Sequence, residues 1–162
     1  MRRLLAIFLL LTLASCGFHL RGEQKLPFES IAISPEESQL ALALTRLIRE
    51  GSEARVAGAP DKVSYRLQIL SEVNDRIILS LDATGQVREY QLRYKVAFRL
   101  LDPKGEVVIP RSELFLTRLM SYDISEILAK ESEASLLYRN MRQDAADQIV
   151  RRLAAVRLDE NR

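Results

Sequence analysis

From residue 89 to residue 100 the chain alternates without a slip. Tyr90, Leu92, Tyr94, Val96, Phe98 and Leu100 fall on one side, and Glu89, Gln91, Arg93, Lys95, Ala97 and Arg99 on the other. A period of two sends successive side chains to opposite faces of an extended backbone. The segment therefore commits the fold to a sheet with one apolar face and one mainly polar face.

What lies around it extends that sheet. Val63, Tyr65, Leu67, Ile69 and Ser71 alternate in the same way, and a second strand is expected from about Arg76, through Ile77, Ile78 and Leu79. Asp82-Ala83-Thr84-Gly85 and Asp102-Pro103-Lys104-Gly105 have the composition of tight turns. Residues 107–122 are again rich in strand formers, although Pro110 lacks the N–H that central pairing requires. A short strand is also expected over residues 30–33, and Gly58-Ala59-Pro60-Asp61 reads as a loop.

Two segments switch to a helical period. Ser34-Pro35-Glu36-Glu37 has the form of a capping box with proline at the first helical position, which predicts a helix over about 35–50. Leu40, Leu44, Leu47 and Ile48, backed by Leu42, form its apolar stripe, and Gly51 offers a stop. From about Ile124 the pattern turns helical again. A long helix is predicted over roughly 131–156, with Leu137, Met141, Ala145, Ile149, Leu153 and Val156 on one stripe. The expected class is α+β: a two-layer α/β sandwich of about four mostly antiparallel strands in a mixed sheet, with two helices packed on one face. Glu89, Gln91, Arg93, Lys95 and Arg99 would then line the uncovered face.

The first fifteen residues are of another kind. Arg2 and Arg3 precede a run from Leu4 to Leu13 that is apolar except for Thr12, too short for a bilayer-spanning helix, which takes roughly 20 residues. A basic start, a short apolar run and then small residues describe an export signal, removed from the mature protein. Leu13-Ala14-Ser15-Cys16 fits the bacterial lipobox. Cys16 would carry an S-diacylglycerol and, once freed by the peptidase, an N-acyl group. One acyl chain gives only marginal, reversible membrane binding, whereas several anchor a protein firmly. Gly17 rather than Asp follows the cysteine, which under the known sorting rule favours the outer membrane. The expected organisation is a signal peptide over 1–15, a lipidated tether over 16–28, with Phe18 and Leu20 packing near the membrane, and one domain over 29–162.

Charge and chemistry narrow the function. Of 24 Lys and Arg in the chain, losing Arg2 and Arg3 leaves 22 against 22 Asp and Glu. Such neutrality argues against a nucleic-acid partner, which calls for a basic excess or stripe. The single cysteine permits no internal disulfide. His19, three residues from Cys16, is the only histidine. A zinc site needs three or four ligands in concert, and a nucleophile needs a base within reach. Acylation of Cys16 would leave one imidazole and no thiol. No catalytic, metal or cofactor site follows, although a pair of carboxylates stays open as an alternative, detectable by strongly raised pKa values in a cleft.

Several motifs occur together: Cys-Gly-Phe-His-Leu-Arg-Gly over 16–22, Gly85-Gln86 with Glu89-Tyr90-Gln91, and Leu128-Ala129-Lys130-Glu131. A C-terminal set adds Tyr138, Met141, Asp144-Ala145-Ala146, Gln148-Ile149 and Arg151-Arg152-Leu153. In this combination the chain resembles the outer-membrane LPS-assembly lipoprotein family LptE, also called rare lipoprotein B. The resemblance implies a non-enzymatic plug and assembly factor for the large outer-membrane barrel LptD. It also implies binding of lipopolysaccharide (LPS), with the domain on the periplasmic side and within the barrel lumen. In the family, basic residues near the turn after the second main strand and before the last helix are linked to LPS. Lys130 matches the second position. At the first this chain has Ala83-Thr84, where a relative can carry Arg, and Arg88 is a substitute three residues beyond Gly85. A carrier or structural lipoprotein that binds an amphiphile without a barrel is the alternative.

Overall fold

The structure, a computed structural model, describes residues 25–58 and 65–157. Its elements are β1 (Ser30–Ser34), α1 (Gln39–Gly51), β2 (Arg55–Ala57), β3 (Tyr65–Leu81), β4 (Val87–Leu101), β5 (Val107–Ser121), a 3-10 turn (Ile124–Glu126) and α2 (Ile127–Ala154). One mixed sheet runs in the order β2-β1-β3-β4-β5. β1 is parallel to both its neighbours, and β3, β4 and β5 are antiparallel. The α+β sandwich holds, with five strands where about four were expected. The addition is β2, three residues long and too short to show a period.

β4 does what its alternation requires. Leu92, Tyr94, Val96, Phe98 and Leu100 are all buried, together with Leu40, Leu44 and Ile48 of α1 and Met141, Ala145, Ile149 and Leu153 of α2. Fully burying side chains of this size is worth roughly 1.5–3 kcal/mol each, which makes this three-way contact the main source of stability. Leu42 is exposed, because two residues advance a helix by about 200° and carry it away from the stripe of Leu40. The packing reaches back toward the N-terminus: Phe28 is buried and stacks on Tyr65 with ring centroids 5.0 Å apart.

From Tyr65 onward the two strands expected up to Leu79 are one, while Val63 and most of the loop expected over 58–61 lie outside the described residues. Along β3 the pairing with β4 skips Leu70, since Ile69 opposes Phe98 and Ser71 opposes Ala97. This bulge reverses the phase of the side chains. Leu67 and Ile69 face the helices before it; after it Glu72, Asn74 and Arg76 oppose Val96, Tyr94 and Leu92 and take over that face. Those residues are polar, so the apolar period disappears although the strand continues.

The helix boundaries also move. The N-cap of α1 is Ser38, four residues beyond the expected Ser34, its hydroxyl accepting from the N–H of Ala41 at 2.9 Å. Ser34 instead ends β1 opposite Gln68, where pairing keeps its backbone extended. Gly51 is the last helical residue, and Ser52 closes the helix by donating its N–H and its hydroxyl to the carbonyl of Ile48. α2 starts earlier than expected, behind the 3-10 turn, because its first residues Ile127 and Leu128 are exposed and contribute nothing to the buried stripe. Pro110 lies in β5, on the sheet edge, within an irregularity where Leu100 pairs with Ile109 and Phe98 with Ser112. The residues around it thus escape the central pairing that proline cannot serve.

Candidate functional site

At the end of the sheet formed by the β3–β4 hairpin, the chain builds an open hollow of about 630 Å³. Three local devices hold its walls. The carboxylate of Asp82 accepts from the N–H groups of Thr84 and Gln86 at 2.8 and 2.9 Å and from the Thr84 hydroxyl, closing the hairpin turn. Gly85 takes the positive φ of 84° that this turn requires and that a side chain would disfavour. Across the hollow Tyr122 donates its N–H to the carbonyl of Arg88 at 2.7 Å, and Asp123 caps the 3-10 turn through Ser125.

Arg88 and Lys130 line this one hollow, although strand β5 separates them in the chain. Arg88 is the residue of β4 that the pairing with β3 skips between Ser80–Glu89 and Leu81–Val87, and it is exposed. Lys130 sits in the first turn of α2. Its ammonium donates to the hydroxyl of Ser121 at 3.2 Å and to the carboxylate of Glu133 at 3.0 Å, and its side chain is only 15 % exposed. It is therefore folded back against its neighbours rather than extended into solvent.

Arg76, which no motif singled out, is a third cation at this end. It pairs with Glu131 of α2 at 2.7 Å and lies over the ring of Tyr90, 4.9 Å from its centroid, while Tyr90 meets Tyr122 edge-on. Only the register of β3 after its bulge reveals it. The hollow also carries the carboxylates of Asp82, Asp123 and Glu126, so its lining has no excess of positive charge. The hydrogen bond from Thr84, then that from Gln86, holds the Asp82 carboxyl below its usual range, and Ser125 does the same for Asp123. The Asp75 carboxyl is likewise lowered, chiefly by its hydrogen bond from Arg93. These downward shifts are the opposite of what a carboxylate acid in a cleft would display.

On the uncovered face four residues of the expected polar row are paired: Arg93 and Lys95 with Asp75, Arg99 with Gln68, and Glu89 with Ser80. The exposed side chains of Val73, Ile77, Phe115 and Leu119 share it, so the face is mixed rather than polar. Cys16 and His19 lie outside the described residues. Among the described residues no helix is long and apolar enough to cross a membrane.

This architecture, a mixed sheet with both helices on one face, is that of a bacterial lipoprotein domain with solved representatives. The solution structure of an uncharacterized lipoprotein B from Nitrosomonas europaea superposes with a TM-score of 0.74, at 36 % identity over 86 % of this chain and 91 % of that one. The crystal structure of rare lipoprotein B from Shewanella oneidensis gives a TM-score of 0.64, at 30 % identity over 78 % and 92 %. Residues 28–153 match the family model LptE, described as lipopolysaccharide-assembly. The LPS-assembly lipoprotein LptE of Yersinia enterocolitica is 33 % identical over 161 residues, covering 97 % of this chain and 76 % of the relative. The chain belongs to the LptE family.

Proposed function

We propose that this protein is a lipid-anchored assembly factor of the outer membrane. It plugs the lumen of the LPS-translocating barrel LptD, supports that barrel's assembly and binds LPS on its way to the outer leaflet. The role is non-enzymatic. Cys16, acylated on nitrogen and sulfur, is the anchor after removal of residues 1–15; residues 16–28 are the tether and residues 29–162 the plug domain.

The observation that carries the LPS contact is the meeting of Arg88 and Lys130 in one hollow. Lipid A presents phosphates, and phosphate is held best by charge-assisted hydrogen bonds from Lys and Arg. Because carboxylates share the lining, recognition rests on directed contacts from these cations rather than on a broad positive field. Phosphate takes the place of Glu133 at the Lys130 ammonium. The paired polar groups of the open sheet face suit a barrel lumen, which is polar in large barrels.

Depletion of the protein, followed by assay of LPS at the cell surface and of folded barrel in the outer membrane, tests the reading. Both should fall. Normal levels of both would overturn it, and failure to co-purify stoichiometrically with a barrel would favour an independent amphiphile carrier.

A further inference from the structure

Half of the fourteen large apolar side chains that are exposed among the described residues lie either between Ile77 and Leu81 or between Ile124 and Leu128. These two short stretches belong to different elements, the end of β3 and the approach to α2, and the fold brings them to the same end. Asp82 and Val87 of the hairpin line the same hollow as Ile124 and Lys130, and Leu81 pairs with Val87. On the helical side the Arg76–Glu131 bridge ties α2 to β3, and Ile127, one turn before Glu131, projects from the same helix face toward the level of Ile78. Leu128 is 82 % exposed, on a helix whose later turns, Leu136 apart, bury most of their large apolar residues.

Apolar and cationic groups are ordered along this end. In β3, Arg76 precedes Ile78 and Leu81; in α2, Lys130 follows Ile127 and Leu128, about 3–5 Å further from the tip at the helical rise. Arg76 and Lys130 thus lie behind the large aliphatic side chains, while Arg88, between the pairs Ser80–Glu89 and Leu81–Val87, flanks them beside the hairpin turn. That order complements an amphiphile whose phosphates reach the hollow while its hydrocarbon lies over the tip.

We propose that Ile78, Leu81, Ile124, Ile127 and Leu128 form a contact site for the acyl chains of one phosphorylated glycolipid molecule, continuous with the phosphate contacts of Arg88 and Lys130. The proposal rests on the LPS reading above and adds to it the site for the chains. Separate recognition of the two parts of the ligand explains why so small a set of cations, half committed to carboxylate partners, suffices: the chains supply affinity and the cations select the headgroup.

The test uses the full chain and two probes, an acylated bisphosphorylated glucosamine disaccharide and its fully deacylated counterpart with both phosphates retained. An Ile124→Ser, Ile127→Ser, Leu128→Ser variant should lose at least about tenfold in affinity for the acylated probe and bind the weaker, deacylated one unchanged. Lys130→Glu should weaken both. Should the triple substitution disturb the circular dichroism, Leu128→Ser alone, at the most exposed of these positions, serves the same comparison with a smaller expected loss. Unchanged binding of the acylated probe by a folded variant would overturn the acyl site. So would equal loss of both probes, parental binding to zwitterionic phospholipid vesicles as tight as to the acylated probe, or loss of barrel co-purification with lipid binding intact. If the parental chain binds neither probe, the LPS reading itself fails, and this site with it.

Discussion

The carboxylate of Glu72 meets the guanidinium of Arg142 at 3.1 Å where α2 passes over β3, and both side chains are at least four-fifths buried. The same carboxylate accepts from the hydroxyl of the buried Tyr94 at 2.8 Å and from the N–H of Leu40 in the first turn of α1 at 3.4 Å. One acid thereby joins β3, β4 and both helices. Burial, and then the hydrogen bond to Glu72, pushes the Tyr94 hydroxyl well above its usual pKa and keeps it a donor.

Removing that acid should be the costliest single polar change in the domain. Glu72→Ala leaves Arg142 without its partner in a confined site, and the expected loss is about 3 kcal/mol. Tyr94→Phe removes one hydrogen bond and should cost about 1 kcal/mol. Urea unfolding monitored by circular dichroism measures both. A loss below that of Tyr94→Phe for Glu72→Ala would show that the cluster does not join the layers.

The position of the first helix cap separates two serines. Ser38→Ala should lower stability by about 1 kcal/mol, the usual value of an N-cap hydroxyl, whereas Ser34→Ala removes no cap. Thermal unfolding of the two variants side by side decides between them. A larger effect at Ser34 would place the helix start back at the capping box.

Acid should destabilise the domain through carboxyls held below their ordinary value. Asp75, Asp82 and Asp123 are each lowered from 3.8 by the hydrogen bonds they accept. A group lowered in the folded state contributes its stability above the unfolded pKa and loses it as pH falls through the folded one. Their contribution should therefore be level down to about pH 5 and decline below about pH 4. Asp75→Asn should reduce the steepness of that acid limb in a series of thermal melts; an unchanged slope would remove Asp75 from the account.

Lys130 and its partner predict opposite effects on ligand binding. Lys130→Glu should weaken LPS binding by about tenfold or more, given 1.5–3 kcal/mol for a hydrogen bond to a charged group, with circular dichroism unaltered. Glu133→Gln removes the carboxylate that now accepts from the Lys130 ammonium and should strengthen binding a few-fold, since a pair whose carboxylate is open to water is worth about 1 kcal/mol. Titration with purified LPS checks both, and unaltered binding in Lys130→Glu would remove Lys130 from the site.

Much of the architecture was legible because it rests on periodicity. The strict alternation of β4, the helical stripes beginning at Leu40 and Leu137, and the two turns ending in Gly85 and Gly105 each state their local geometry directly. Lys130 and Arg88 were legible as candidates only through the motifs around them. What went unread has one common cause: the signal depended on a residue in another element. The Leu70 bulge is invisible without the β4 register, and it split one long strand into two apparent ones. β2 is stabilised by pairing with β1 rather than by a pattern of its own. The start of α2 was hidden because Ile127 and Leu128 serve the outside of the fold rather than its core.

By itself, then, the sequence determined most of the segments that would be strands and helices, the apolar faces of β4 and of both helices, and the family to which their motifs bear resemblance, since local backbone preference and side-chain period act over a few residues. Only the tertiary structure decided that Glu72 would serve two helices, that Arg76 would reach Glu131, and that Arg88 and Lys130 would share a hollow beside an exposed apolar tip. Those relationships are set by strand register and by where a helix crosses a sheet. A one-residue bulge changes them, while leaving the composition of the chain the same.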